Sequence, residues 1–201
     1  MKFINCSSIS KKYDNNIIFN NFSCEFNNQL INFITGVNGV GKSTLIACFL
    51  EFIKYEGKIE HNLNKIVYQP ERVILPDYIK LIDYLILIGQ VHHEDVSLKL
   101  EKLLKKFDLE KVLFKELITL SKGTRQKVLI IQSLMLTADA YIFDEPLSGL
   151  DPLSQKNFVE EINRLYQEKK LIIIITHFME QYNLSNTKII NLNDKDKYEI
   201  N

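Results

Sequence analysis

The chain has 201 residues, 46% of them apolar, with 25 lysines and arginines balanced by 25 aspartates and glutamates; this allows one domain with a proper core and gives no electrostatic reason to expect a nucleic-acid partner. The longest apolar runs, such as LIIII at 171–175, fall far short of the roughly 18 residues of a membrane-spanning helix, and the opening MKFINCSSIS lacks the continuous apolar stretch of a secretory leader. Cys6, Cys24 and Cys48 form no CxxC pair, which argues against a disulfide framework or a zinc site and reads as small buried hydrophobes in a reduced, cytosolic compartment.

In chain order, the β-like runs KFINCSSI, NIIFNNFSCEF and QLINFIT come first, and the last ends directly in GVNGVGKST. TLIACFLEFIK then reads as a helix, and GKIEH and KIVYQ as two further strands. From about Tyr78 to Leu117 the pattern is helical throughout, with Val96, Leu100, Leu103, Leu104 and Phe107 forming one apolar stripe and most of the neighbouring lysines lying off it. Beyond residue 121 the order is helix, buried strand AYIFD, helix PLSQKNFVEEINRLYQEKK, buried strand LIIIIT, a short helix and a last strand around TKIINL. This alternation predicts an α/β fold, a mostly parallel sheet with helices on both faces.

Gly36, Gly41, Lys42 and Ser43 complete G-x-x-x-x-G-K-[ST] between a strand and a helix, the setting of a phosphate loop. Glycines let backbone N–H groups wrap the phosphates, Lys42 brings charge to the β and γ groups, and Ser43 can ligate Mg²⁺. AYIFDEP delivers two adjacent carboxylates at a strand's C-terminal end, where parallel sheets place ligands. Asp144 is expected to hold Mg²⁺ through water and Glu145 to polarise the attacking water. The stretch LSKGTRQK, 120–127, joins a flexible turn to three cations and runs into an apolar helix; its helix start favours an anion, yet the phosphate loop lies far upstream.

Six stretches in order, GVNGVGKST, YQPE, LSKGTRQK, YIFDEP, SGLD and THFME, resemble the phosphate loop, glutamine loop, signature, second carboxylate motif, D-loop and histidine switch of the ATP-binding subunits of ATP-binding cassette (ABC) transporters. The likeness covers nearly the whole chain. It implies a P-loop NTPase core with a small antiparallel β subdomain, trimmed because only 69 minus 42, or 27, residues separate Lys42 from Gln69. It also implies a helical subdomain over about 71–120, inserted in a single domain spanning 1–201. ATP and Mg²⁺ are the implied cofactors. Asn38, Gly39 and Thr44 would join Gly36, Gly41, Lys42 and Ser43 around the phosphates, and Tyr13 would stack on adenine. Gln69 would contact Mg²⁺ and the attacking water, and His177, 177 minus 144 or 33 residues after Asp144, would hold the γ-phosphate and align Glu145.

Family members pair head to tail, so Ser121 and Gly123 would meet the γ-phosphate of a second cassette's ATP, which would supply the anion the signature's helix start favours. Asp151 would sit at the dimer interface, although a helix cap before Pro152 accounts for it equally well. The signature departs from the family's L-S-G-G-Q at Lys122 and Thr124. Its LSKG start, together with a chain that stops soon after the histidine switch, resembles short bacterial exporter subunits for drugs, antimicrobial peptides and sodium. The resemblance thus implies a cytoplasmic motor held at the membrane by a separate transmembrane permease, which would contact Glu71–Gln90. A soluble cassette ATPase working on ribosomes or DNA lacks here its second cassette, coiled coil or basic surface, and a small-molecule kinase would need only the first of the six stretches.

Overall fold

In the computed structural model, which describes residues 1–14 and 16–193, the elements follow the chain as β1 (Phe3–Tyr13), β2 (Asn16–Asn27), β3 (Ile31–Thr35), α1 (Lys42–Phe49), β4 (Glu56–His61), β5 (Ile66–Gln69), α2 (Leu81–Val91), α3 (Ser97–Lys106), α4 (Lys122–Met135), β6 (Ala140–Asp144), α5 (Pro152–Gln167), β7 (Leu171–Ile175) and β8 (Thr187–Asn191), with short 3₁₀ turns at Glu110–Val112, Leu117–Thr119 and Met179–Tyr182. Strands β2, β1 and β4 form an antiparallel sheet in that order, and β5-β6-β7-β3-β8 form a parallel one.

Alternation along the strands builds two cores. In β3, Phe33 packs with Phe143, Ile172 and Ile174 against α4 and α5, whereas the next residue, Ile34, packs with Ile142, Ile173 and Ile175 against α1 and the inner face of the antiparallel sheet. Every residue of β6 and of β7 is buried, as strands covered on both faces require. Each such Ile or Phe contributes on the order of 1.5–3 kcal/mol of transfer free energy. Cys6 and Cys48 are buried, Cys24 is half-buried, and all three are free thiols, so the reading of the cysteines as small hydrophobes holds.

The stretch from Tyr78 to Leu117, expected to be helical throughout, holds two helices and a run of turns. Helix α2 stops at Val91 because His93 takes the left-handed conformation, with φ of 53°, and Asp95 accepts hydrogen bonds from the backbone N–H and hydroxyl of Ser97 as α3 begins. Helix α3 ends at Lys106, before a left-handed Asp108. The apolar stripe is where the sequence put it, with Val96, Leu100, Leu103, Leu104 and Phe107 all buried. Helix α1 is also shorter than TLIACFLEFIK, ending at Phe49 ahead of a left-handed Glu51.

Because every strand of the larger sheet runs the same way, the C-terminal ends of β3, β5, β6 and β7 lie along one edge. The four stretches that follow them begin at Gly36, Pro70, Glu145 and Thr176. That edge is where a parallel sheet presents its ligand.

Candidate nucleotide site

The phosphate loop leaves β3 at Gly36 and enters α1 at Lys42 with no side chain capping the helix, so the first N–H groups of α1 stay available to an anion. Gly41 has φ of 117°, and a Cβ there would lie 2.6 Å from Ile18 Cγ2, so both backbone conformation and space exclude a side chain. At the loop's start, the Val37 N–H donates to Asn193 Oδ1 at 2.8 Å.

Lys42 folds back under its own loop. Its Nζ donates to the carbonyls of Gly36 at 2.7 Å and Val37 at 3.2 Å, and stands 3.2 Å from His177 Nε2. His177 Nε2 also faces Asn38 Oδ1 at 2.9 Å. One ring nitrogen cannot accept and donate at once, so its tautomer decides which of the two contacts is a hydrogen bond. Burial lowers the pKa of Lys42, opposed by the nearby Glu145 and Asp144.

The two carboxylates after β6 reach the same cavity by different means. Asp144 is the last residue of the strand, and its Oδ2 accepts from Ser43 Oγ at 3.4 Å. Glu145 keeps the ladder going, donating its N–H to Ile175 at 2.9 Å, while its φ of 48° turns the chain into the left-handed region. Strain of this kind in a glutamate is of the sort held at functional positions. Its Oε1 accepts from the His177 backbone N–H at 3.0 Å and its Oε2 from the Thr176 hydroxyl at 3.3 Å. Burial pushes the Asp144 carboxyl up to about 6, helped by the charges of Glu71 and Glu145, and burial also raises Glu145.

A cavity of about 240 Å³ is lined by Asn38, Gly39, Gly41, Lys42, Ser43, Thr44, Glu71, Asp144, Glu145 and His177. It adjoins a second cavity of about 380 Å³, reached by Leu147, Ser148, Gly149 and Gln155 and sharing Asn38, Glu71, Glu145 and His177 with the first. A larger space of about 490 Å³ between α2 and α3 holds none of these groups and is lined instead by Ile82, Ile86, Leu100 and Leu104 among others. Glu71 of YQPE, expected only at the start of the permease contact, lines the cavity with Asp144 and Glu145. Its only sequence signal was that it follows Gln69 by two residues.

Five expected residues do not join the cavity. Gln69 closes β5 in register with Phe143 and, by strand alternation, shares a face with Val67. It is 2% exposed, and neither amide atom has a hydrogen-bond partner. Tyr13 is half exposed at the end of β1 with Lys11 Nζ 4.8 Å from its ring centre. Ser121 caps α4, its Oγ accepting from the Thr124 N–H at 3.2 Å, and Gly123 packs so closely that a Cβ would lie 2.7 Å from the Gly149 carbonyl oxygen. Asp151 caps α5 through the Ser154 N–H at 2.9 Å and pairs with Lys127 at 2.7 Å, which holds its carboxyl well below the usual range. The cap expected before Pro152 is therefore present.

Two of the three cations in LSKGTRQK are committed within the chain, Lys127 to Asp151 and Arg125 to the carbonyls of Ile118 and Leu120. Lys122 has no polar partner among the described residues. Gln126 Nε2 donates to the Pro146 carbonyl at 3.0 Å, so α4 is tied directly to the turn after Glu145. Sequence spacing carried no signal for that tie.

The donor set suits Mg²⁺. Ser43 and Asp144 offer hard oxygens side by side, and among the described residues no group of three or more His, Cys, Asp or Glu could hold a metal unaided. Mg²⁺ usually takes one or two carboxylates and leaves the rest to water and substrate phosphates. Replacing Lys42 with Ala removes the cation beneath the loop. About tenfold weaker nucleotide binding is expected from the loss of a charge-assisted contact, measurable by titration with a fluorescent ATP analogue.

The description of the ABC transporter family matches residues 19–148. An ABC transporter ATP-binding protein of Bacillus subtilis, YthP, is 33% identical over 73% of this chain and 64% of its own length. The zinc import ATP-binding protein ZnuC of Ehrlichia chaffeensis is 30% identical over 92% of this chain and 77% of its own. A solved ATP-binding subunit of an ABC transporter superposes with a TM-score of 0.86 over 94% of this chain and 85% of that one at 24% identity, which shows a shared fold. With the phosphate loop, the paired carboxylates and the histidine on one sheet edge, the chain belongs to the ABC transporter family as one of its ATP-binding subunits, an ATPase.

Proposed function

We propose that this cassette closes head to tail with a second one around two ATP molecules and drives a separate transmembrane permease. The observation that carries this is the start of α4. Ser121 and Gly123 line neither cavity beside the chain's own phosphate loop, so an anion at that helix start has to come from another molecule.

Within the site, Lys42 and the α1 N–H groups bind the β and γ phosphates, helped by Gly36, Asn38, Gly39, Gly41 and Thr44. Glu145, held by the His177 N–H and the Thr176 hydroxyl, takes the proton of the attacking water. His177 lies between Lys42 and Asn38, where a γ-phosphate would replace their mutual contacts. Ser43 and Asp144, with Gln69 released from its buried position, would hold Mg²⁺, which supplies charge neutralisation on the phosphate oxygens. Tyr13 offers a ring face to adenine, and Asp151 sits beside the signature helix it is paired with.

The helical subdomain spans about 71–120 and presents the permease contact. Ile74 is 98% and Tyr78 81% exposed, whereas Leu75, Leu81, Tyr84 and Leu85 are core, so only part of this stretch is open to a partner. Among the described residues no helix is long and apolar enough to cross a membrane; on the transporter reading the membrane path belongs to the permease, with the cassette at its cytoplasmic face. Export is the direction to which the LSKG start points. One relative is named for zinc import, so likeness of the cassette does not set a direction.

The test is purification of the tagged chain from its native membranes in mild detergent. A polytopic membrane protein is expected to come with it. Ribosomes or nucleic acid in its place would move the ATPase to another task.

A further inference from the structure

The strip of chain beyond β5 is stitched to the strip that leads into α4. The Ile118 N–H donates to the Asp77 carbonyl, Leu117 to Ile79, Leu81 to Lys115 and Ile82 to Leu113, each at 3.0 Å, with Lys80 and Glu116 paired antiparallel between them. This ladder stops at Ile118, short of the helix start at Ser121. Arg125, on the first turn of α4, reaches back across the gap. Its Nη2 donates to the Ile118 carbonyl at 2.7 Å and its Nε to the Leu120 carbonyl at 3.1 Å.

We propose that Arg125 is a positioning residue for the turn at Ser121–Gly123, joining it to the ladder so that the exposed Ile74–Tyr78 strip and the phosphate-facing turn move as one piece. The proposal rests on the head-to-tail reading above. Two carbonyls at fixed separation suit the planar fork of a guanidinium, whereas a lysine ammonium lacks that fixed fork and a glutamine brings no charge. The rest of α4 has its own anchors in Gln126 to Pro146 and Lys127 to Asp151. Removing Arg125 therefore leaves the helix seated on the core but frees its first turn from the incoming strip. The Ile118 carbonyl lies at an exposed contact and can return to water, and the Leu120 carbonyl is only part-buried, so the loss falls on turn geometry more than on folding.

Arg125→Gln and Arg125→Lys are made in the full chain carrying Glu145→Gln, which accumulates an ATP-held dimer on the head-to-tail reading. Sedimentation gives the ATP concentration for half-dimerisation, and a fluorescent ATP analogue at low protein concentration gives binding to the monomer. Arg125→Gln is expected to raise the half-dimerisation concentration about tenfold, as loss of a charged two-point contact implies, with monomer binding unchanged within about twofold. Arg125→Lys should fall between. A purely structural role would shift both constants and the thermal midpoint together, and that result overturns the proposal. Dimerisation of Arg125→Gln within about twofold of its parent also sinks it while leaving the head-to-tail reading intact. A parent that fails to dimerise with ATP removes the head-to-tail reading and the proposal with it. Should Arg125→Gln not fold, Arg125→Lys decides, and unchanged dimerisation there is the overturning result.

Discussion

Glu145→Gln is expected to lower ATP turnover about 10²- to 10⁴-fold, the range for removal of a positioned general base, while ATP still binds and an ATP-dependent dimer accumulates. The geometry gives the reason for both halves. Glu145 contacts the edge of the phosphate cavity through hydrogen bonds from the His177 N–H and the Thr176 hydroxyl, and an amide of the same shape keeps one of these oxygens as an acceptor. The phosphate contacts proposed for Lys42 and α1 do not involve it. What is lost is basicity, and burial raises the carboxyl above its ordinary value, towards the pH at which a base works best. Turnover of the unaltered chain should accordingly decline as pH falls through that raised pKa. Steady-state phosphate release and sedimentation with ATP check the prediction. Hydrolysis by Glu145→Gln at the unaltered rate would take Glu145 out of its proposed role.

How much of this was legible beforehand depended on the kind of signal. The parallel sheet was legible because buried strands such as AYIFD and LIIII are short, apolar and bounded, and because the phosphate loop names the strand before it and the helix after it. The helix ends were not. Glycine is scarce, with only 7 in the chain, and the helices stop at left-handed Glu51, His93, Asp108 and Lys169, residues that give no sign of a break. In the site, Lys42, Ser43 and Asp144 could be placed from their motifs, since each is fixed at the end of a strand or the start of a helix. Gln69 could not, because whether its side chain faces the phosphates or the helical side follows from strand phase, and strand phase sends it towards Val67. The anchoring of α4 by Arg125, Gln126 and Lys127 was hidden for a further reason. Three polar residues after a glycine turn look the same from sequence whether they await a ligand or hold the chain's own backbone.

Asp144→Asn should make the nucleotide-free chain more stable at neutral pH, by about 3 kcal/mol at most, while removing its Mg²⁺-dependent ATP binding. Asp144 is 5% exposed and faces the charges of Glu71 and Glu145, and its carboxyl is pushed up to about 6. For a carboxyl raised on folding, the folded chain binds the proton in the window between the ordinary value near 4 and the raised value, and the unfolded chain does not. Stability therefore falls as pH rises through that window, and the full penalty applies above about 6; a shift of roughly two units corresponds to about 3 kcal/mol. The asparagine carries no charge to desolvate and its Oδ1 can still accept from the Ser43 hydroxyl. Comparing the two chains removes the opposite contributions of depressed carboxyls such as Asp139 and Glu94, which both share. Urea denaturation at pH 5 and pH 7.5 is the measurement. The gain should be near its full size at pH 7.5 and about half as large at pH 5. Equal stability of the two chains at pH 7.5 would mean that the buried charge imposes no such burden. If the gain is found, the site is held in an unfavourable charge state that only a bound cation and nucleotide relieve, and stability is traded for binding at Asp144 itself.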